Sequence, residues 1–200
     1  MSRRGPVTAA ALAAAALLAA AGCGGGKHAA GVSTGSKAPT AKAFPADAVV
    51  TTSEGRFSIS LDVADSPHTV ASFEQLARKG FFDGTIFHRI VPGFVIQGGD
   101  PTGTGTGGPG YTTVDPPPKD TDYVHGTVAM AKTSQEAPGT AGSQFFVVTG
   151  ADAGLPPEYA VLGKVVKGLA VVDRIGKLGD PQTEQPTKRV VVRHIAIVPS

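Results

Sequence analysis

The chain has little of several things that commonly place a protein in a class. It contains one cysteine among 200 residues, so no disulfide can form within it. Charged residues make up 17% of the chain, the formal net charge is +2, and no block of basic side chains occurs, which argues against nucleic acid as a partner. The hydrophobic fraction of 41% is nevertheless sufficient for a packed core. We therefore expect one globular domain with attached segments.

Patterns of metal ligation, hydrolysis and nucleotide binding are also missing. No Gly-x-Ser-x-Gly turn is present, so hydrolase chemistry lacks a nucleophile. Residues 103–108 formally match Gly-x-Gly-x-x-Gly, but prolines follow and no helix is expected there, so we interpret them as a flexible loop. We expect no metal and no cofactor, because the histidines show no metal-ligand spacing. They are His28, His68, His88, His125 and His194.

The N-terminus has the organisation of an export signal. Arg3 and Arg4 precede the uncharged run Val7–Ala21, which at about fifteen residues is too short to span a membrane comfortably. This pattern predicts a signal peptide over residues 1–22. The sequence Ala-Ala-Gly-Cys that ends at Cys23 resembles a bacterial lipobox, with alanine in the usual leucine position. We expect lipidation of Cys23; the alternative is a secreted protein cut near Ala21.

Residues 23–46 consist mainly of Gly, Ala, Ser, Thr, Lys and Pro. Such a segment cannot bury enough apolar surface to offset its ordering entropy, so it predicts a flexible tether. The folded domain is expected over residues 47–200. The predicted location is the outer face of the bacterial cytoplasmic membrane, as a lipoprotein, with secretion as the alternative.

Within the domain, short apolar runs are separated by Gly, Pro, Asp and Ser. Helices are predicted from Pro67, with Ser66 as N-cap, to Gly80, and over Leu169–Ile175. Many short strands and two helices favour a closed or sandwiched antiparallel sheet. The predicted strands are Ala48–Thr52, Arg56–Leu61, Ile86–Val91, Phe94–Gln97, Gly126–Ala131, Gln144–Val148, Tyr159–Val166 and Val190–Val198.

The run from Phe87 to Asp100, FHRIVPGFVIQGGD, places polar groups among apolar ones. Burying Arg89 and Gln97 there is costly unless something hydrogen-bonds them, and a ligand is one candidate. Taken alone, without its neighbours, Arg89 favours a structural arginine paired with a carboxylate.

Two further motifs, GSQFF at residues 142–146 and LPPEYAVLG at residues 155–163, follow that run. Together, and in this order, the three motifs resemble the cyclophilin family of peptidyl-prolyl cis/trans isomerases, over Val49–Val198. The resemblance implies a mainly β fold, a closed eight-stranded antiparallel barrel capped by two α-helices. It agrees with the pattern of strands and helices.

The resemblance also implies a site. The family's catalytic arginine corresponds to Arg89, and His88 supports the rim. Gln97 and the backbone after Met130 would hold the peptide, while Gln144 is a pocket partner of Gln97 or a rim residue. The substrate-binding residues implied are His88, Phe94, Val95, Gln97, Ala131, Lys132, Gln144, Phe146, Leu155 and Tyr159. Strand alternation instead predicts Phe87, Ile96 and Phe145 as core.

The implied function is isomerisation of X-Pro bonds in newly exported proteins, by a monomer without a covalent intermediate. One alternative is a non-catalytic module that binds proline-containing segments. Another is a chaperone that holds unfolded chains at the cell surface, which requires a further exposed apolar patch.

Four positions depart from the best-known eukaryotic pattern. Val95, Lys132 and Tyr159 stand where methionine, asparagine and histidine are usual, and Gly154 occupies the position of the family's tryptophan.

Because no indole is available to hydrogen-bond cyclic-peptide inhibitors, we predict weak cyclosporin binding with turnover retained. The check is the dissociation constant by titration, measured beside an otherwise matched cyclophilin that carries the tryptophan. Equal affinity of the two proteins would contradict the prediction.

Overall fold

The computed structural model describes Ala38 and residues 43–200. The predicted signal peptide, Cys23 and most of the predicted tether lie outside the described residues. The last part of that tether belongs to the fold, because Ala43 and Ala46 are buried in the main core. No helix in the described part of the chain is long and apolar enough to cross a bilayer.

All eight predicted strands and both predicted helices are present, with ends that differ by at most three residues. The structure adds two short strands, β5 and β7, which pair with each other. The strands are β1 Ala46–Thr52, β2 Gly55–Leu61, β3 Arg89–Val91, β4 Val95–Gly98, β5 Thr113–Val114, β6 Thr127–Met130, β7 Thr140–Ala141, β8 Phe145–Val148, β9 Val161–Lys167 and β10 Val192–Pro199. The helices are α1 Pro67–Arg78 and α2 Leu169–Gly176.

Eight strands form one antiparallel sheet in the order β10-β1-β2-β9-β6-β8-β4-β3. The predicted closed barrel is slightly overstated, because the end strands β3 and β10 do not pair along their length. The residues just before each of them meet instead: Ile86 and Val191 form an isolated bridge, and Phe87 N donates to Val190 O at 3.1 Å. The sheet is thus curled, and a short irregular contact spans the gap.

Both helices start where the sequence indicates. Pro67 opens α1 after Ser66, but the Ser66 hydroxyl makes no capping hydrogen bond. Val70, Phe73, Leu76 and Ala77 recur at helical spacing on one face of α1, and all four are buried. Helix α1 packs on β10 and β5, whereas α2 packs on β2, β3 and β4.

Two apolar clusters lie on opposite faces of β4, β6 and β8. Phe87, Ile96 and Phe145 are fully buried in the main core, as alternation predicted. The second cluster holds Val95 and Phe146, with Phe94 packed against it. Successive side chains of a strand point to opposite faces, so neighbours in the sequence are divided between the two clusters. We call the second one the apolar site cluster; its other members are Tyr123, Ala129, Ala131, Val148, Ala153, Leu155, Tyr159 and Val161.

Candidate active site

A row of paired residues crosses four strands on the face of the apolar site cluster. Arg89 of β3 pairs with Gln97 of β4, which pairs with Phe146 of β8, which pairs with Ala129 of β6. Directly opposed residues in antiparallel strands have side chains on the same face. The row therefore brings a guanidinium, a carboxamide and a phenyl ring side by side.

The guanidinium of Arg89 has contacts on three sides. Its Nε donates to Glu184 Oε2 at 2.7 Å, and Nη1 makes a longer bond of 3.5 Å to Gln97 Oε1. Its central carbon lies 6.0 Å from the centroid of the Phe94 ring. Arg89 is therefore paired with a carboxylate, and the partner, Glu184, was not among the residues that the sequence pointed to.

Beyond Gln97, the hydrogen bonds continue into the glycine-rich loop. Gln97 Nε2 donates to Gln144 Oε1 at 3.1 Å. Gln144 Nε2 in turn donates to the carbonyls of Gly105 and Gly107, at 2.9 and 3.0 Å. Gln144 thus combines the two roles suggested from the sequence: it is a partner of Gln97, and it hydrogen-bonds the backbone of the loop at the rim.

The loop at residues 103–108 is held by the fully buried carboxylate of Asp100. Four backbone N–H groups donate to it, from Thr102, Thr104, Gly105 and Gly107, at 2.6–3.1 Å, and so does the Thr102 hydroxyl. Burial alone would raise the pKa of Asp100, but these hydrogen bonds hold it below its ordinary value. The loop predicted to be flexible thus has five hydrogen bonds to one buried carboxylate. The bonds also explain Gly107, since a Cβ there would lie 2.1 Å from Asp100 Oδ1.

This loop, Arg89 and Gln97 border a groove of about 1180 Å³. His88 lines it and is 8% exposed, and burial lowers its pKa, so the ring is neutral at pH 7. Other predicted site residues that line the groove are Ala131, Lys132 and Gln144.

The residues predicted to form a proline slot belong to the apolar site cluster, which shares Ala131 with the groove. Phe94, Val95, Phe146, Leu155 and Tyr159 all belong to this cluster. Val95 and Phe146 are at most 1% exposed and support it from below, whereas Phe94 and Leu155 are half-buried at its surface.

Tyr123 is a member of this cluster that the sequence did not reveal. Its hydroxyl donates to the Tyr159 carbonyl at 2.7 Å and accepts from the Tyr159 N–H at 2.9 Å. Burial raises the pKa of Tyr123 to about 12, so the phenol keeps its proton. These bonds fix the segment that presents the Tyr159 ring, which packs edge-on against Phe146 with centroids 5.6 Å apart.

Lys132, at the usual asparagine position, makes several contacts that join two segments of the site. Its side chain is 2% exposed, and Nζ lies 3.1 Å from Glu158 Oε2 and 5.4 Å from the Tyr159 ring centroid. Nζ also donates to the carbonyls of Thr133 and Glu136. Lys132 therefore ties the loop after β6 to the segment that carries Tyr159.

Gly154 lies exposed beside Leu155, with φ of +60°. No atom lies within 4 Å of the place where its Cβ would stand. The rim has open space where the family's tryptophan is expected.

Comparison with known proteins agrees with this geometry. Residues 48–197 match the family model described as cyclophilin type peptidyl-prolyl cis-trans isomerase. The chain is 32% identical to peptidyl-prolyl cis-trans isomerase CYP18-2 of Arabidopsis thaliana over 77% of this chain and 94% of that protein. It is 37% identical to peptidyl-prolyl cis-trans isomerase A of Mycobacterium tuberculosis, over 76% and 92%.

Solved structures show the same fold. A Cryptosporidium parvum cyclophilin type peptidyl-prolyl cis-trans isomerase superposes with a TM-score of 0.72 at 28% identity, covering 78% of this chain and 99% of that one. The same protein was also solved in the presence of the dipeptide Ala-Pro, with a TM-score of 0.70 at 30% identity, covering 77% and 99%.

A curled antiparallel sheet with a polar groove beside an apolar cluster thus defines a site able to take an apolar ring on a polypeptide. The chain belongs to the family of cyclophilin-type peptidyl-prolyl cis-trans isomerases. Its activity is accordingly that of a peptidyl-prolyl cis-trans isomerase.

The Lys132 contacts generate a stability prediction. Glu158→Gln leaves a buried ammonium without its carboxylate, and we expect it to lower the free energy of unfolding by about 1–3 kcal/mol. Lys132→Met keeps the apolar stem and leaves no buried charge unpaired: it removes the donor from the half-exposed Glu158 and from the carbonyls of Thr133 and Glu136, so it should cost less, under about 1.5 kcal/mol. Denaturant unfolding measures both losses, with the exposed Lys119→Met as control. A greater loss for Lys132→Met than for Glu158→Gln would contradict the assignment.

Proposed function

We propose that this protein accelerates X-Pro isomerisation in newly exported polypeptides outside the cytoplasmic membrane, with Arg89 as the catalytic residue. The observation that carries the proposal is the position of the Arg89 guanidinium, held between Glu184 and Gln97 at the edge of the apolar site cluster. Arginine has five N–H donors, and Nε has one of them. The contact with Glu184 uses that one, the longer bond to Gln97 uses one N–H of Nη1, and the other terminal N–H groups are left for a ligand.

The reaction needs no bond to break. The planar amide is held by conjugation, with a barrier of about 18–20 kcal/mol. As the C–N bond twists, the prolyl nitrogen becomes pyramidal and gains a lone pair, which a guanidinium N–H can bind. Because arginine does not lose its proton in proteins, this donor is always available. It binds the twisted state better than either planar state, so it lowers the barrier.

The neighbouring groups hold the peptide. The proline ring would rest on Phe94, Leu155 and Tyr159, and the removal of water there strengthens the contact with Arg89. Gln97 and Gln144 offer polar contacts along the groove. The Ala131 N–H already donates to the Gln144 carbonyl at 2.9 Å, so the carbonyl of Ala131 is the group left for the peptide.

We expect Arg89→Ala to slow catalysed cis-to-trans relaxation of an Ala-Pro peptide by tenfold or more, because the donor to the prolyl nitrogen is lost. The measurement is the relaxation rate against protein concentration, with Arg78→Ala, a largely exposed arginine of α1, as control. If the wild type binds the peptide by nuclear magnetic resonance but leaves the rate unchanged, the protein is a proline-binding module instead.

The proposed location follows from the sequence of residues 1–46. A signal peptide over residues 1–22 would deliver the chain across the membrane, and acyl chains on Cys23 would keep it there. Roughly twenty residues separate Cys23 from β1, and a random coil of that length spans about 25 Å. A monomeric domain on such a tether would reach polypeptides as they emerge from export.

Replacing the cysteine tests the anchor. We expect the wild type to partition into the detergent phase and to incorporate labelled fatty acid, because two or three acyl chains bind a bilayer stably. Cys23→Ser should do neither, while Ser33→Ala should behave as wild type. Wild-type protein in the aqueous phase, without label, would favour secretion.

A further inference from the structure

Glu184 is bound to the one Arg89 nitrogen that lies on the side-chain stem. The 2.7 Å contact joins Glu184 Oε2 to Nε, and the terminal nitrogens are not part of it. The carboxylate therefore fixes the orientation of the guanidinium plane without competing for the N–H groups that would meet a prolyl nitrogen. A peptide can enter while this pair stays intact.

The loop that carries Glu184 is itself built against β3. The Glu184 carbonyl accepts from the Ile90 N–H at 2.9 Å, directly beside Arg89. Gly179 and Pro186 form a bridge at the base of the loop, and a Cβ on Gly179 would lie 2.1 Å from the Ile90 carbonyl oxygen. The carboxylate of Asp180 accepts from the N–H groups of Gln182 and Thr183, both at 2.9 Å. Glu184 thus lies on a loop that hydrogen bonds tie to β3 and to its own backbone.

The backbone of Glu184 gives an independent indication. Its φ is +57°, and no other non-glycine residue in the described part of the chain has a positive φ. Glycine adopts this conformation without steric cost, whereas glutamate does not. Backbone strain of this kind is found mainly at positions where the side chain has a functional role.

We propose that Glu184 is a positioning residue for the reaction: its carboxylate holds the Arg89 guanidinium in the orientation that meets the prolyl nitrogen. The inference rests on the proposed catalytic role of Arg89. An arginine side chain has many rotamers, and one fixed contact at Nε removes most of them. Gln97 supports the opposite side of the guanidinium, so two contacts define its plane.

The test uses Glu184→Gly and Glu184→Gln in the full chain. Glycine removes the carboxylate and suits the positive φ. We expect the isomerisation rate at saturating peptide to fall tenfold or more, because displacement of a catalytic group is costly. The dissociation constant of the peptide should stay within twofold, and the thermal midpoint should stay equal or rise. Glutamine keeps the shape and a weaker, uncharged acceptor, so its rate should lie between the two.

The control is Gln182→Ala, an exposed position of the same loop, which should match the wild type. A second readout is the Arg89 Nε–H resonance, which we expect to be shifted and protected from exchange in the wild type and to lose both properties in Glu184→Gly.

The results for the Arg89 and Glu184 variants together distinguish the catalytic role of Arg89 from the positioning role of Glu184. If Arg89→Ala keeps its activity, the catalytic assignment itself fails. If Arg89→Ala is inactive but Glu184→Gly stays within twofold of the wild type, the positioning role is overturned. A parallel loss of activity, affinity and thermal midpoint in Glu184→Gly would also overturn it, because that pattern belongs to a structural residue. An unprotected Nε–H in the wild type would show that the pair does not form in solution.

Discussion

The register between β3, β4, β8 and β6 is the constraint on which the site depends. It sets Arg89, Gln97, Phe146 and Ala129 in one row. Because side chains alternate, a slip of one residue in β4 would send Gln97 into the main core and bring Ile96 onto the groove. The main core opposes such a slip: Phe145 packs edge-on against Phe73, Phe82 and Phe87, with centroids 5.8–6.1 Å apart. Packing on one face of the sheet thus maintains the chemistry on the other.

The sequence predicts the features that depend on residues close together in the chain. Strand alternation and turn residues locate every long strand, and they assign Ile96 and Phe145 to the core. Contacts between distant residues carry no such pattern. Glu184 is 95 positions from Arg89, and Tyr123 is 36 from Tyr159. The opening between β3 and β10 likewise depends on the curl of the whole sheet.

Burial of charge explains why Arg89, Lys132 and Asp100 have partners that are distant in the sequence or lie in loops. An ion removed from water loses several kcal/mol unless it is paired or hydrogen-bonded. Arg89 has Glu184, Lys132 has Glu158 and two carbonyls, and Asp100 has a ring of N–H donors. The partners lie on four different loops. Each charge therefore also orders a segment that borders the site, which a hydrophobic residue of the same size would not do.

These pairings also determine the electric field of the groove. Its two cationic side chains, Arg89 and Lys132, each face a carboxylate within 3.1 Å, and His88 is neutral. A further lining carboxylate, Glu136, accepts from the N–H and the hydroxyl of Thr133. Opposite charges so close cancel beyond a few ångströms, and salt screens what is left over a Debye length of about 10 Å. The charge of the paired Arg89 guanidinium is therefore felt mainly over hydrogen-bond distance. In the proposed reaction, a peptide must therefore bring its proline against the apolar site cluster before Arg89 can affect it, and that would tie the chemistry to the proline ring rather than to the charge of the peptide.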